Sequence, residues 1–288
     1  MLFQQLLNGL TMGSIYALLA IGITMIYKAM GMLNFAHGDT IMVSSFACLT
    51  MCNAGVPLYV AIPVTVLFGA AVGLSLERFI YRRLEFGSFV NLLIATVGVS
   101  FVLRNSSIAI WGAEPQLFPN LFSQTPIKLG SFYLMPHSIF IICISMVIVV
   151  LLQLFFYKTM TGKSMRAAAT DSEGASMMGI NVGRTRFLTF GISAAFAAVA
   201  GILLAPMFYV SVDMGVMVGL KAFSAAILGG FGNIMGALFG GLILGIIEAM
   251  GATYISTAYK DVISFLVLFL VLYFKPTGLF ARGVEQKF

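Results

Sequence analysis

Long uncharged runs dominate the chain. Residues 1–27, 40–76, 129–157, 187–212 and 222–247 contain no Asp, Glu, Lys or Arg. Crossing ~30 Å of hydrocarbon takes about 20 mostly apolar helical residues, and each run is long enough. The pattern predicts membrane segments at about 6–27, 37–53, 57–76, 88–111, 136–157, 187–209 and 260–274, with a broken stretch across 217–254. Two breaks have local causes: Asn53-Ala54-Gly55-Val56-Pro57 and Gly229-Gly230-Phe231-Gly232-Asn233 are rich in residues that end helices. The longest polar connections are 112–135 and 158–186. The expected fold is all-α: a polytopic transmembrane bundle of about eight helices, some broken or re-entrant, in a single transmembrane domain over residues 1–288.

Composition agrees with that pattern and excludes other classes. Of 288 residues, 60% are hydrophobic and only 9% charged, whereas a soluble domain averages roughly a quarter charged. The net charge of +6 does not indicate nucleic acid, because no basic groove interleaved with aromatics accompanies it. In a membrane protein such an excess reflects orientation. Arg78, Arg82 and Arg83 lie in 77–86; Lys158, Lys163, Arg166, Arg184 and Arg186 in 158–186; Lys275, Arg282 and Lys287 in the tail. Between 112 and 135 only Lys128 is basic. The first three regions are therefore expected in the cytoplasm and 112–135 outside, with Trp111 at the outer interface. Counting back from 77–86 puts the N-terminus outside, unless 28–53 is re-entrant. The first apolar stretch lacks a basic n-region and reads as a retained helix rather than a signal peptide. Cys48, Cys52 and Cys143 suit small buried hydrophobes better than a disulfide scaffold.

Four groups of residues could carry function. The first is Leu33-Asn34-Phe35-Ala36-His37-Gly38-Asp39. Polar groups in hydrocarbon are costly unless satisfied, so Asn34, His37, Gly38 and Asp39 are read either as the lining of a translocation pathway at a broken helix or as structural caps. No metal site is expected, since His37 and His137 are the only histidines and no ligand cluster accompanies them. The second is the stretch 162–181, with Met165, Ala167–Ala169, Met177, Met178 and Ile180 in a cytoplasmic connection. Its Ala-rich centre favours helix, Gly174 and Gly179-Ile180 are expected to break it, and its apolar residues suit docking to a cytoplasmic partner. The third comprises the isolated intramembrane charges Arg104, Lys221 and Glu248, where Arg104 and Glu248 are candidates to pair across helices. The fourth is the glycine series from Gly229 to Gly251, with Gly236-x-x-x-Gly240 and Gly241-x-x-x-Gly245 spaced for close helix packing. Gly229, Gly230, Gly232 and Asn233 at its head join the pathway candidates.

A short internal similarity links Lys28–Met42 (KAMGMLNFAHGDTIM) with Lys221–Met235 (KAFSAAILGGFGNIM). Each follows a long apolar helix and carries a glycine break, as an inverted transporter repeat would. No GxxxxGK[ST] phosphate loop occurs, so the chain itself does not bind ATP by that route.

The motifs LNFAHGD (33–39), GKSMRAAATDSEGASMMGIN (162–181), GISAAFAAVAGILLAP (191–206), KAFSAAILGGFGNIMGALFGGLILGIIE (221–248) and KPTGLF (275–280) occur in this order along the chain. Through them the sequence resembles the inner-membrane permease subunits of bacterial ABC importers for branched-chain amino acids, specifically the shorter, H-type partner of the permease pair. The resemblance implies a multi-pass subunit of the bacterial inner membrane with no enzyme activity or cofactor of its own, ATP being bound by partner subunits. Those partners would be a second permease, two cytoplasmic ATPases and a periplasmic or extracellular substrate-binding protein. It also implies that the connection 158–186 is the ATPase-coupling segment, with Arg166, Ala168, Asp171, Glu173, Ala175, Gly179 and Ile180 in its core. The Glu-Ala-Ala signature of other importer classes is absent there. Rival expectations are a same-family permease for urea, short amides or other amino acids, and an ion-coupled secondary carrier. A carrier is disfavoured by the scarcity of intramembrane carboxylates, essentially Asp39 and Glu248. A membrane enzyme is disfavoured by the lack of acidic-cluster, HExxH or GxSxG motifs.

Overall fold

The computed structural model describes residues 2–84, 88–119, 125–129 and 132–280. The fold is helical: α1 (Leu2–Met30), α2 (His37–Asn53), α3 (Leu58–Leu76), a π-helical turn (Glu77–Tyr81), α4 (Arg82–Leu84), α5 (Phe89–Trp111), α6 (Pro136–Lys158), α7 (Met160–Thr170), α8 (Ser172–Met177), α9 (Val182–Leu204), α10 (Met214–Gly229), α11 (Ile234–Tyr254) and α12 (Lys260–Phe274). A small antiparallel hairpin, β1 (Ile127–Leu129) with β2 (Phe132–Leu134), interrupts the helical pattern in the connection before α6.

Among the described residues six helices are long and apolar enough to cross a membrane: α1, α3 continued to Leu84, α5, α6, α9 and α11. At 1.5 Å per residue, α2, α10 and α12 reach only about 22–26 Å and are shorter than the hydrocarbon. Exposed Ile94, Phe101 and Val102 on α5 and Val147, Val150 and Leu151 on α6 turn apolar surface outward, as a lipid environment requires. The chain is a multi-pass membrane protein.

The segments expected at 37–53 and 260–274 coincide with α2 and α12, and the break at 229–233 falls between α10 and α11. The connection 77–86 proves helical as far as Leu84, and α9 begins before Arg184 and Arg186. Long basic side chains can lie along a helix end while their charge reaches the interface, so a helix need not stop where charge begins. Arg282 and Lys287 of the basic tail lie outside the described residues. Cys48 is buried but Cys143 is exposed, which corrects the reading of all three cysteines as buried packing groups; all are free thiols.

The chain divides into two compact units. Unit 1 comprises Met1–Thr24, Asn120–Val147 and Leu220–Phe288, and unit 2 Met25–Pro119 and Ile148–Gly219. In unit 1, α11 packs along α1 through glycine: a Cβ at Gly13 would lie 2.9 Å from the Leu242 Cα, and one at Gly241 or Gly245 would collide with the backbone of Ala17 or Gly13. In unit 2, α2, α3 and α9 pack together. A Cβ on Gly69 would come within 2.6 Å of the Ala198 methyl, and one on Gly201 within 2.7 Å of the Ile41 carbonyl oxygen. Close helix approach through small residues is how membrane helices gain contact without a hydrophobic drive. Ile26, Met32, Ala36, Tyr81, Leu92, Val99 and Phe190 form a buried cluster beside this seam.

Candidate functional site

The break before α2 is built in unit 2. Gly31 takes φ 65°, which ends α1 one residue earlier, and the chain turns through 32–36 before α2 starts. Asn34 organises the turn: its Oδ1 accepts from the Ala36 N–H (3.1 Å) and from the Tyr81 hydroxyl (3.0 Å). Tyr81 comes from the π-helical turn, where the extra residue per turn re-aims side chains, and its ring lies 5.3 Å from that of Phe190. Nothing in the sequence pattern singled out Tyr81. Asp39, only 1% exposed, accepts from Arg104 Nε at 3.0 Å. His37 is buried, and its Nε2 has no hydrogen-bond partner among the described residues. Gly38 lies against Gly215 and Gly219 of α10.

Arg104 and Glu248 do not pair with one another. Arg104 binds Asp39 in unit 2, whereas Glu248 belongs to a buried network in unit 1. There Lys221 Nζ lies 2.6 Å from Glu248 Oε1, and the Tyr16 hydroxyl donates to Glu248 Oε2 at 2.8 Å. Asp261 Oδ1 stands 2.7 Å from Lys221 Nζ, at angles that make an ion pair without a hydrogen bond. Lys260 Nζ lies 4.0 Å from Glu248 Oε1. The network joins α1, α10, α11 and α12, and two ammonium groups face two carboxylates. Intramembrane charges are expected to be paired in this way. Tyr16, Lys260 and Asp261 were not foreseen as its members.

The glycine break in unit 1 is closed by the chain's own later residues. Gly230 and Gly232 take φ 96° and 84°, conformations open to glycine. Asn233 Oδ1 caps α11 by accepting from Met235 N and Gly236 N, both at 3.1 Å, and its Nδ2 donates to the Phe280 carbonyl at 2.7 Å. Leu279 N donates to the Leu228 carbonyl (2.8 Å) and Phe280 N to that of Gly229 (3.3 Å). The KPTGLF segment thus supplies donors to the orphan carbonyls that end α10. Gly229 is pressed against the Gly236 backbone. The two segments of the internal similarity are each helix, break, helix, yet their breaks fall at different aligned positions, 31–36 in one and 230–233 in the other.

The segment 158–186 folds as α7 and α8 in unit 2. Thr159 caps α7 by accepting from Gly162 N (3.0 Å). The break expected at Gly174 lies instead at Asp171, because Asp171 is extended and its Oδ1 accepts from Glu173 N (3.1 Å) and Gly174 N (3.0 Å), starting a new helix. Gly174 has no Cβ to meet that carboxylate. Gly179, at φ 81°, ends α8. Ala168 and Ala175 are buried, while Met177 and Met178 are about 85% exposed (86% and 85%). Arg166 stacks over the Tyr157 ring at 4.4 Å. The pair of helices therefore presents Glu173, Met177, Met178 and Gly179 outward.

Broken apolar helices in a membrane-spanning bundle define the class as a polytopic helical membrane protein. Residues 5–272 match the family model described as the branched-chain amino acid transport system / permease component. The chain is 37% identical to the high-affinity branched-chain amino acid transport system permease protein BraD of Pseudomonas aeruginosa, over 99% of this chain and 97% of that one. It is 40% identical to the corresponding protein LivH of Salmonella typhimurium, again over 99% and 97%. Among solved structures, PsaBC from Streptococcus pneumoniae in complex with Fab shares the fold, with TM-score 0.52 and 16% identity over 93% of this chain and 90% of that one. The chain belongs to the branched-chain amino acid transport permease family.

Proposed function

We propose that this chain is the membrane-spanning permease subunit of an ABC importer that carries branched-chain amino acids across the bacterial inner membrane. The full-length similarity to relatives bearing that description carries the reading. Its partners are a second permease subunit, two cytoplasmic ATPase subunits and a periplasmic or extracellular substrate-binding protein. The α7–α8 turn is the coupling element: a short, capped helix pair with two exposed methionines suits a cleft on an ATPase. ATP-driven closure of the ATPases moves these turns and shifts the permeases between inward- and outward-facing packings. Asn34, His37, Gly38 and Asp39 line the pathway, and the Asp39–Arg104 pair holds the start of α2.

Replacing Met178 and Ile180 together with Asp tests the coupling assignment while leaving the Gly179 turn in place. The ATPase subunits should no longer co-purify and uptake of labelled leucine should fall at least tenfold, with normal membrane insertion. Retained association and uptake would refute the assignment. Uptake of labelled urea in place of leucine would point to the other substrates of the family. Uptake that survives ATP depletion but collapses with the proton gradient would indicate an ion-coupled carrier.

A further inference from the structure

Of the helices long enough to span the membrane among the described residues, α5 is the least enclosed by protein. The surface of α6 shows what lipid requires: no exposed residue from Ile139 to Leu154 carries a charge, an amide or a hydroxyl, and Ser145 is buried. The surface of α5 breaks that rule. Asn105 and Ser106 are exposed on it, and the Arg104 side chain is 24% exposed. Arg104 stands seven residues before Trp111, the last residue of the helix, and so about 10 Å inside that end. A charged group at such depth faces protein or a water-filled path rather than lipid.

Arg104 is anchored from behind. Its Nε donates to Asp39 Oδ1 at 3.0 Å, and Asp39 is 1% exposed. A guanidinium carries five N–H donors in a fixed planar fork. With Nε committed to Asp39, the Nη groups remain, and they make no hydrogen bond among the described residues. Asn105 offers the opposite polarity. Its Nδ2 donates to the Phe101 carbonyl at 2.8 Å, and its Oδ1 accepts from no donor among the described residues.

Helix spacing joins these two residues to apolar neighbours. Side chains three and four positions apart lie side by side on a helix, with Cβ atoms about 5–6 Å apart. Phe101 stands three before Arg104 and four before Asn105, and Ile108 stands four after Arg104 and three after Asn105. Both are exposed, Phe101 at 60% and Ile108 at 42%. The four residues form one patch, with a cation at one edge, an amide oxygen at the other and apolar surface above and below. Apolar exposure alone suits lipid, but a guanidinium and an amide set among it do not.

From this patch we infer that α5 faces the translocation path and that Arg104, Asn105, Phe101 and Ile108 receive the branched-chain amino acid in transit. The Arg104 Nη groups donate to its α-carboxylate, a planar acceptor that matches the fork. Asn105 Oδ1 accepts from its α-ammonium, and Phe101 and Ile108 flank its aliphatic side chain. A zwitterion with an apolar side chain complements the patch in charge and in hydrophobicity. Asp39 already balances the guanidinium charge, so the substrate is held by hydrogen bonds without a net positive trap, as passage requires. The inference rests on the permease reading above and adds the residues that hold the substrate on its way.

The test uses the whole importer, reconstituted in liposomes with its ATPase and binding-protein partners. Asn105→Cys and Val150→Cys, each in a chain whose native cysteines are replaced by alanine, are first treated with the charged, membrane-impermeant thiol reagent MTSES during ATP-driven turnover. Asn105→Cys should react at least tenfold faster than Val150→Cys on the apolar face of α6. Equally slow reaction would place the α5 face against lipid, or sealed against the second permease, and overturn the inference. The second readout is labelled leucine moved per ATP hydrolysed in Arg104→Lys and Asn105→Leu. Lysine keeps the charge pair with Asp39 but loses the fork, and leucine removes the amide oxygen. The ratio should fall at least fivefold in the first and threefold in the second, with ATP hydrolysis within twofold of wild type. A merely structural role would lower uptake and hydrolysis together, and an unchanged ratio would overturn the inference. Failure of either variant to assemble, read by size-exclusion chromatography, would make that residue structural and overturn it as well. A wild-type importer that moves no branched-chain amino acid would instead refute the proposed function, while the thiol reaction still reports whether α5 faces water.

Discussion

Lys221 and Glu248 offer a quantitative test of how buried charge holds unit 1 together. Their side chains are each 9% exposed and 2.6 Å apart. Glu248→Leu leaves Lys221 only Asp261, at 2.7 Å and 33% exposed, and takes the acceptor from Tyr16. Lys221→Met leaves Glu248 the Tyr16 hydroxyl and Lys260 at 4.0 Å. Stranding one member of a buried pair costs ~3–5 kcal/mol. The surviving partners roughly halve this, so each single variant should lose about 2 kcal/mol. Replacing both members by apolar residues is often close to neutral, and the double variant should lose only about 1 kcal/mol, for the unpaired Tyr16 hydroxyl. Thermal unfolding of the detergent-solubilised subunit measures the cycle. At about 2–4 °C per kcal/mol, the single variants should melt roughly 4–8 °C below wild type and the double variant roughly 2–4 °C below. A double variant that loses the sum of both single shifts, or single variants within about 1 °C of wild type, would show that the pair does not act as a unit.

Two further outcomes follow from local geometry. Gly241→Val should sharply reduce the yield of folded protein, because its Cβ would run into the Ala17 backbone, while Gly98→Ala should be silent, having nothing within 4 Å of its added carbon; fluorescence-detected size-exclusion separates the two. Trp111 donates to Thr50 Oγ1 at 2.7 Å and stacks on Phe46 at 5.2 Å. Thr50→Val should therefore shift the emission of this single tryptophan with a change in stability of about 1 kcal/mol, and an unchanged spectrum would contradict that hydrogen bond.

The uncharged runs located the spans because the requirement is local: each stretch must be apolar over its own length, whatever it packs against. The glycine breaks were legible for the same reason, since backbone freedom at Gly230 and Gly232 is a property of the residue. The charge partners were not. Arg104 meets Asp39 across 65 residues and Lys221 meets Glu248 across 27, and which carboxylate each cation reaches depends on how the helices pack. Similarly, the chain returns at 275–280 to close the 229–233 break, and nothing within either segment announces it.

The sequence by itself determined an all-α membrane protein, the place of its broken helices and its resemblance to an importer permease. These follow from composition and motif along one stretch at a time. Only the tertiary structure decided that Asn233 is a cap tied to Phe280, that Asp171 rather than Gly174 divides the segment 162–181, and that α2 begins uncapped beside α10. Each of those depends on which backbone groups find partners after packing. A one-dimensional pattern cannot carry that information, because a buried donor is satisfied or left free by residues far away in the chain.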